Sequence, residues 1–162
     1  MMKKLLFLLS FWIYISISVA FAEIKLQPYQ SGDWSAITKK YPNQTVAIHF
    51  WGTTCGPCIT ELPEWGKYLK SDKNIKAIFV QVDDVSGSMI RKRLQSAKLE
   101  KYDHYYLVSN FDEFIYFEVD KTWHGEIPMT ILLGKDGKKE RILGSVEFKD
   151  IKKWASKQAS IQ

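Results

Sequence analysis

The chain has 162 residues, of which 46% are hydrophobic, and 23 Lys and Arg against 18 Asp and Glu give a net charge of +5. That length supports one domain with a proper core. The positive charge is spread without a block of like sign, which argues against nucleic-acid binding. Two cysteines in all exclude a scaffold held by several disulfides.

Residues 1–22 have the pattern of a secretory leader. Lys3 and Lys4 give a positive start, Leu5 to Val19 is an apolar run broken only by serines, and Ala20-Phe21-Ala22 is a small-residue cleavage site. The alternative is an uncleaved membrane anchor, although a spanning helix needs roughly 20 apolar residues. Either way the rest of the chain, 23–162, is expected to be one extracytoplasmic domain, periplasmic in a cell with two membranes. Disulfides persist outside the cytosol. A single closely spaced pair there reads as catalytic or regulatory.

Glu23 to Gly32 reads as a lead-in. Asp33 is placed to cap a helix through about Tyr41, with Trp34 and Ile37 on one side. Pro42-Asn43-Gln44 ends it. Thr45 to Trp51 is too apolar to have a wet face and reads as a buried strand. A helix from about Pro57 to Ser71 follows, with Pro63 inside it as a kink. Ile75 to Val82 is a second apolar strand. Ser86 to Leu99 has Ile90, Leu94 and Ala97 at helical spacing. Tyr105 to Val108 reads as a strand and Asp112 to Val119 as a short aromatic helix. Met129 to Leu133 is a strand joined to Lys139–Gly144 by the turn signal Lys135-Asp136-Gly137-Lys138. Phe148, Ile151, Trp154 and Ala155 mark the apolar face of a last helix. Strands alternating with helices, then a hairpin, predict an α/β sandwich around a mixed sheet.

The chemistry centres on Cys55-Gly56-Pro57-Cys58, a dithiol between a buried strand and a helix. Cys55 is expected where the helix begins. Unpaired N–H groups and the helix dipole there favour a thiolate. Cys58 lies one turn further in and is suited to resolve a mixed disulfide. Gly56 and Pro57 fit a first helical turn. A static disulfide and half of a metal site are the competing readings, although a lone pair lacks the second ligand pair of structural zinc.

The segment Phe50-Trp51-Gly52-Thr53-Thr54-Cys55-Gly56-Pro57-Cys58-Ile59-Thr60-Glu61-Leu62-Pro63, with Gly125-Glu126-Ile127-Pro128-Met129-Thr130 far downstream, resembles the thioredoxin superfamily. Within it the chain is similar to the exported TlpA/ResA-like thiol-disulfide oxidoreductases, over roughly Trp34 to Trp154. The resemblance implies a thioredoxin-like sandwich, with an extra helix and strand inserted between about Asp84 and Lys121. It implies catalysis by Cys55 and Cys58, with Glu61 accepting or relaying the Cys58 proton; an ordinary first-turn glutamate is the plainer reading of Glu61. It implies a cis Pro128 that, with Ile127, holds an extended substrate, next to a surface formed by Trp51, Gly56 and Pro57; the plainer reading of Pro128 is a trans proline that simply starts a strand. Two positions depart from the pattern. Thr54 stands where similar proteins often carry a tryptophan. His49 stands where thioredoxins carry a buried acid, so it is either a proton relay or a hydrogen-bonded core histidine. Trp123 either lines the same groove or belongs to the core. His104 and His124 are expected to be exposed.

The expected activity is reduction of protein disulfides by a dithiol/disulfide cycle. No metal or other cofactor is expected beyond the redox-active disulfide. Expected partners are protein thiol or disulfide substrates and a membrane electron donor; the protein is expected to act as a monomer, and cytochrome c maturation is one candidate pathway. The alternatives are a DsbA-like oxidase or isomerase, a copper-binding protein of the same fold using the two thiols and a distant histidine, and a non-catalytic binding module.

Overall fold

The computed structural model describes residues 23–160. The leader expected over residues 1–22 lies outside them. The elements are β1 (Leu26–Tyr29), α1 (Trp34–Thr38), β2 (Val46–Trp51), α2 (Gly56–Ser71), β3 (Lys76–Gln81), α3 (Gly87–Ser96), β4 (Asp103–Leu107), α4 (Glu113–Val119), β5 (Met129–Leu133), β6 (Lys139–Leu143) and α5 (Phe148–Ala159). The strands form one sheet in the order β1-β4-β3-β2-β5-β6. β1, β4, β3 and β2 run parallel, while β5 is antiparallel to both β2 and β6.

Every residue of β2 is buried, because β2 has strands on both sides and helices on both faces. Its side chains alternate between two cores. Ala47 and Trp51 join Leu62, Trp65, Ile90, Leu94, Ile151 and Ala155 beneath α2, α3 and α5. Val46, Ile48 and Phe50 join Ile37, Ile115, Val119 and Trp123 beneath α1 and α4. The expected extra helix and strand are α3 and β4, with β4 seated between β1 and β3.

The turns follow local chemistry. Ser86 caps α3 by accepting the Met89 N–H, and Asp112 caps α4 through the N–H groups of Phe114 and Ile115. The β5–β6 hairpin closes with Gly137 at φ +77°, a left-handed position that glycine adopts without strain. Three expectations need correction. Residues 26–29 are a strand, not a lead-in, paired along their length with His104–Leu107. Asp33 does not cap α1 with its side chain; its carboxylate accepts the Gln30 N–H instead, at 3.0 Å. His104 is buried rather than exposed. Its ring stacks on Phe79 and its Nε2 meets the Leu99 carbonyl at 2.8 Å.

Candidate functional site

β2 ends at Trp51, and Gly52, Thr53 and Thr54 carry the chain out to Cys55. Cys55 is the N-cap of α2, in extended conformation at φ −84° and ψ 106°, and its sulfur receives the Cys58 N–H at 3.2 Å. Gly56 and Pro57 form the first turn. Proline costs nothing there, since the N–H it lacks would have had no helical partner. The two cysteines are joined as a disulfide. Cys55 is partly exposed and Cys58 is fully buried. That asymmetry lets an outside sulfur reach only the first. The helix continues through Pro63, which is exposed and leaves the Ile59 carbonyl without its usual donor.

The second wall comes from the start of β5. The Ile127–Pro128 peptide is cis. The Ile127 carbonyl oxygen lies 3.7 Å from Cys55 Sγ. Ile127 is half-buried and Pro128 buried, while Thr54, Gly56 and Pro57 are exposed. A surface of Gly56, Pro57 and the Ile127 edge therefore surrounds the accessible sulfur. Trp51 is brought close in sequence but not to that surface. It is completely buried in the core beneath α2, because it is the last residue of a strand that is covered on both faces. It supports the site from below and does not reach a substrate.

Glu61 lies one turn beyond Cys58, on the buried side of α2. Its Oε1 accepts the Val146 N–H at 2.8 Å. Burial pushes its pKa up to about 7, against the lowering effects of the Val146 N–H and the Trp65 indole. His49 is buried, with Nδ1 2.9 Å from Thr130 Oγ1, and its Nε2 has no partner among the described residues. Its ring packs on Trp65 and Phe79. Burial pushes its pKa down to about 3, which favours the neutral imidazole.

Trp123 is also core. It packs on Phe50, Phe111 and Tyr116, and its indole donates to the Glu126 carbonyl at 2.9 Å. His124 is exposed. Sequence reasoning missed Asp83, two residues after the end of β3. Its carboxylate accepts hydrogen bonds from Thr53 and Thr54, immediately before Cys55. The available signal was an acid at the carboxyl end of a parallel strand, where α/β sites gather. Among the described residues no group of three or more His, Cys, Asp or Glu is arranged to hold a metal ion, and no helix is long and apolar enough to cross a membrane.

The six-stranded mixed sheet with helices on both faces and a Cys-X-X-Cys disulfide at a helix start is a thioredoxin-like fold. Solved structures agree. A thioredoxin-related protein from Neisseria meningitidis serogroup B superposes with a TM-score of 0.61 at 22% identity, over 76% of this chain and 90% of that one. StoA from Bacillus subtilis gives 0.54 at 20% identity, over 71% and 84%. A secreted Mycobacterium tuberculosis disulfide oxidoreductase homologous to E. coli DsbE gives 0.57 at 9% identity, over 72% and 83%. At these identities the likeness is one of fold. No family model and no curated protein matches the sequence.

Proposed function

We propose that this protein is an extracytoplasmic thiol-disulfide oxidoreductase working in the reducing direction, with Cys55 as nucleophile, Cys58 as resolving thiol and Glu61 as its base. The observation that carries the reading is the pairing of an accessible sulfur at the start of α2 with a buried one whose neighbouring carboxyl has a pKa of about 7. The secreted disulfide oxidoreductase among the structural neighbours supports both activity and compartment, as does the leader pattern of residues 1–22, whether cleaved or kept as an anchor.

In the cycle, the Cys55 thiolate attacks one sulfur of a client disulfide. The client S–S bond breaks, its other sulfur leaves as a thiolate and takes a proton from water, and a mixed disulfide joins Cys55 to the client. Glu61 takes the Cys58 proton. The Cys58 thiolate then attacks Cys55 Sγ, frees the second client thiol and closes the Cys55–Cys58 bond. Two electrons have passed to the client. A membrane donor must return them, since the exterior has no soluble dithiol pool. The extended client lies along the Ile127–Pro128 edge, held by strand-like backbone hydrogen bonds.

Insulin reduction tests the activity. Turnover by the wild type and its loss in Cys55→Ser are expected; equal, negligible turnover by both would refute it. The potential of the pair tests the direction. A value near the about −270 mV of thioredoxin fits a reductant, and one near the about −120 mV of DsbA overturns that part. Clients trapped as mixed disulfides on Cys55 in the Cys58→Ser variant would name the pathway, cytochrome c maturation included.

A further inference from the structure

Past the last rung of the β2–β3 ladder, the Val82 N–H donates to the Trp51 carbonyl at 3.0 Å and the two chains part. The loop at 52–54 that carries Cys55 then has no strand beside it, and backbone N–H groups there need partners. One side chain supplies them. Asp83 Oδ1 accepts the Thr53 N–H at 2.9 Å, and Oδ2 accepts the Thr53 hydroxyl at 2.7 Å, the Thr54 N–H at 3.0 Å and the Thr54 hydroxyl at 3.1 Å. From behind, the amide of Gln81, itself 1% exposed, donates to the same carboxylate and fixes its rotamer. Asp83 Cγ also lies against Gly52. A Cβ on Gly52 would stand 3.4 Å from it and 2.9 Å from Ile127 Cδ1. Gly52 thus lies between the carboxylate on one side and the Ile127 wall on the other.

We propose that Asp83 is a positioning residue for the nucleophile: it clamps Thr53 and Thr54 so that Cys55 is held at the N-terminus of α2 and within reach of the Ile127 edge. The proposal rests on the reading of Cys55 as the attacking sulfur. Both Thr53 and Thr54 give two donors to one anion, a set that only a carboxylate satisfies; an amide in its place would turn donors toward donors. Burial pushes the Asp83 carboxyl up, but the hydrogen bonds from Thr53, Thr54 and Gln81 outweigh it and hold it below the usual carboxylate range. The clamp is therefore charged wherever the enzyme works.

A clamp and a bare negative charge predict opposite signs. A charge near a thiol disfavours its thiolate, so neutralising Asp83 would lower the Cys55 pKa. A clamp keeps Cys55 at the helix end, so releasing it raises that pKa. The decisive measurement is the pH profile of Cys55 alkylation in reduced wild type, Asp83→Asn and Thr53→Val, alongside kcat/KM for insulin reduction. Asp83→Asn is expected to shift the alkylation profile upward by about half a pH unit or more and to lower kcat/KM about tenfold. Thr53→Val, which removes a single donor, is expected to move both in the same direction by less, and it serves if Asp83→Asn folds poorly. A profile that moves down, or one that does not move with kcat/KM unchanged, overturns the proposal. A wild type with no Cys55-dependent turnover would refute the exchange reading alone, because the alkylation profile still reads the clamp.

Discussion

The two faces of the sheet treat buried polarity differently. Under α1 and α4 the buried or half-buried polar atoms are paired. Tyr29 donates to Glu118, Tyr41 to Asp103, Tyr116 to the Phe111 carbonyl and Trp123 to the Glu126 carbonyl. Under α2, α3 and α5, His49 Nε2, Trp51 Nε1 and His104 Nδ1 are buried without partners among the described residues. A buried unpaired polar atom costs about 1–3 kcal/mol, so such a face is the less stable design. The face with the open valences is also the one that carries the dithiol. Burial on that face holds the Glu61 carboxyl up at about 7, against hydrogen bonds from the Val146 N–H and the Trp65 indole. Pairing on the other face holds the scaffold that makes this tolerable. Structure is concentrated on one side and reactivity on the other.

Trp123 is the largest lever on the paired face. Its indole is 2% exposed, with its ring centroid 4.9 Å from that of Phe50. Trp123→Ala should cost about 3–5 kcal/mol in denaturant unfolding. The alkylation rate of Cys55 in the reduced, still folded protein should stay within about twofold of wild type, the fold-change being small because no part of the α2 N-terminus is touched. A variant that altered thiol reactivity strongly would break the division between the faces.

Glu61→Gln acts on the other face and should separate stability from activity. The folded pKa of Glu61 is about 7 against an ordinary 4.5. A raised carboxyl pKa contributes stability that is full below about pH 4.5 and lost as pH rises through about 7. The neutral glutamine should therefore be more stable than wild type at pH 8, by up to about 3 kcal/mol, and show no such advantage at pH 4. Turnover should move the opposite way. Loss of the base should slow resolution of the mixed disulfide about a hundredfold and remove its rise between about pH 6 and 8. An unchanged rate–pH profile would leave Glu61 as an ordinary buried acid.

Much of this layout is legible in the sequence, and what is not has a physical reason. β2 and α2 announce themselves because an unbroken apolar run meets Cys-Gly-Pro-Cys, and the β5–β6 hairpin because Asp136-Gly137 demands a turn. β1 is hidden. Leu-Gln-Pro-Tyr has no alternation, and its partner, β4, lies more than seventy residues downstream. His104 looks like a surface residue until Phe79 and the Leu99 carbonyl enclose it. Asp83 carries no local signal beyond its place after an apolar strand, since its four donors come from thirty residues earlier. Trp51 shows the converse limit: its neighbourhood in sequence is the active site, but strand alternation turns its ring into the core.

The smallest effect tests whether His49 belongs to the reactive set or merely shares its face. Thr130 is fully buried, and its hydroxyl is the only hydrogen-bond partner of the His49 ring among the described residues. Thr130→Val keeps the shape and strands both ring nitrogens, so stability should fall by about 1–2 kcal/mol. Pairing it with His49→Leu removes the stranded group, and much of that loss should return, as expected when both partners of a buried hydrogen bond become apolar. With a pKa of about 3, the imidazole stays neutral across the working range. The rate–pH profile of disulfide reduction should then be the same in wild type, single and double variants. A profile that shifted in step with the His49 substitutions, while the Glu61→Gln profile stayed put, would move the proton acceptor from α2 to the strand beneath it.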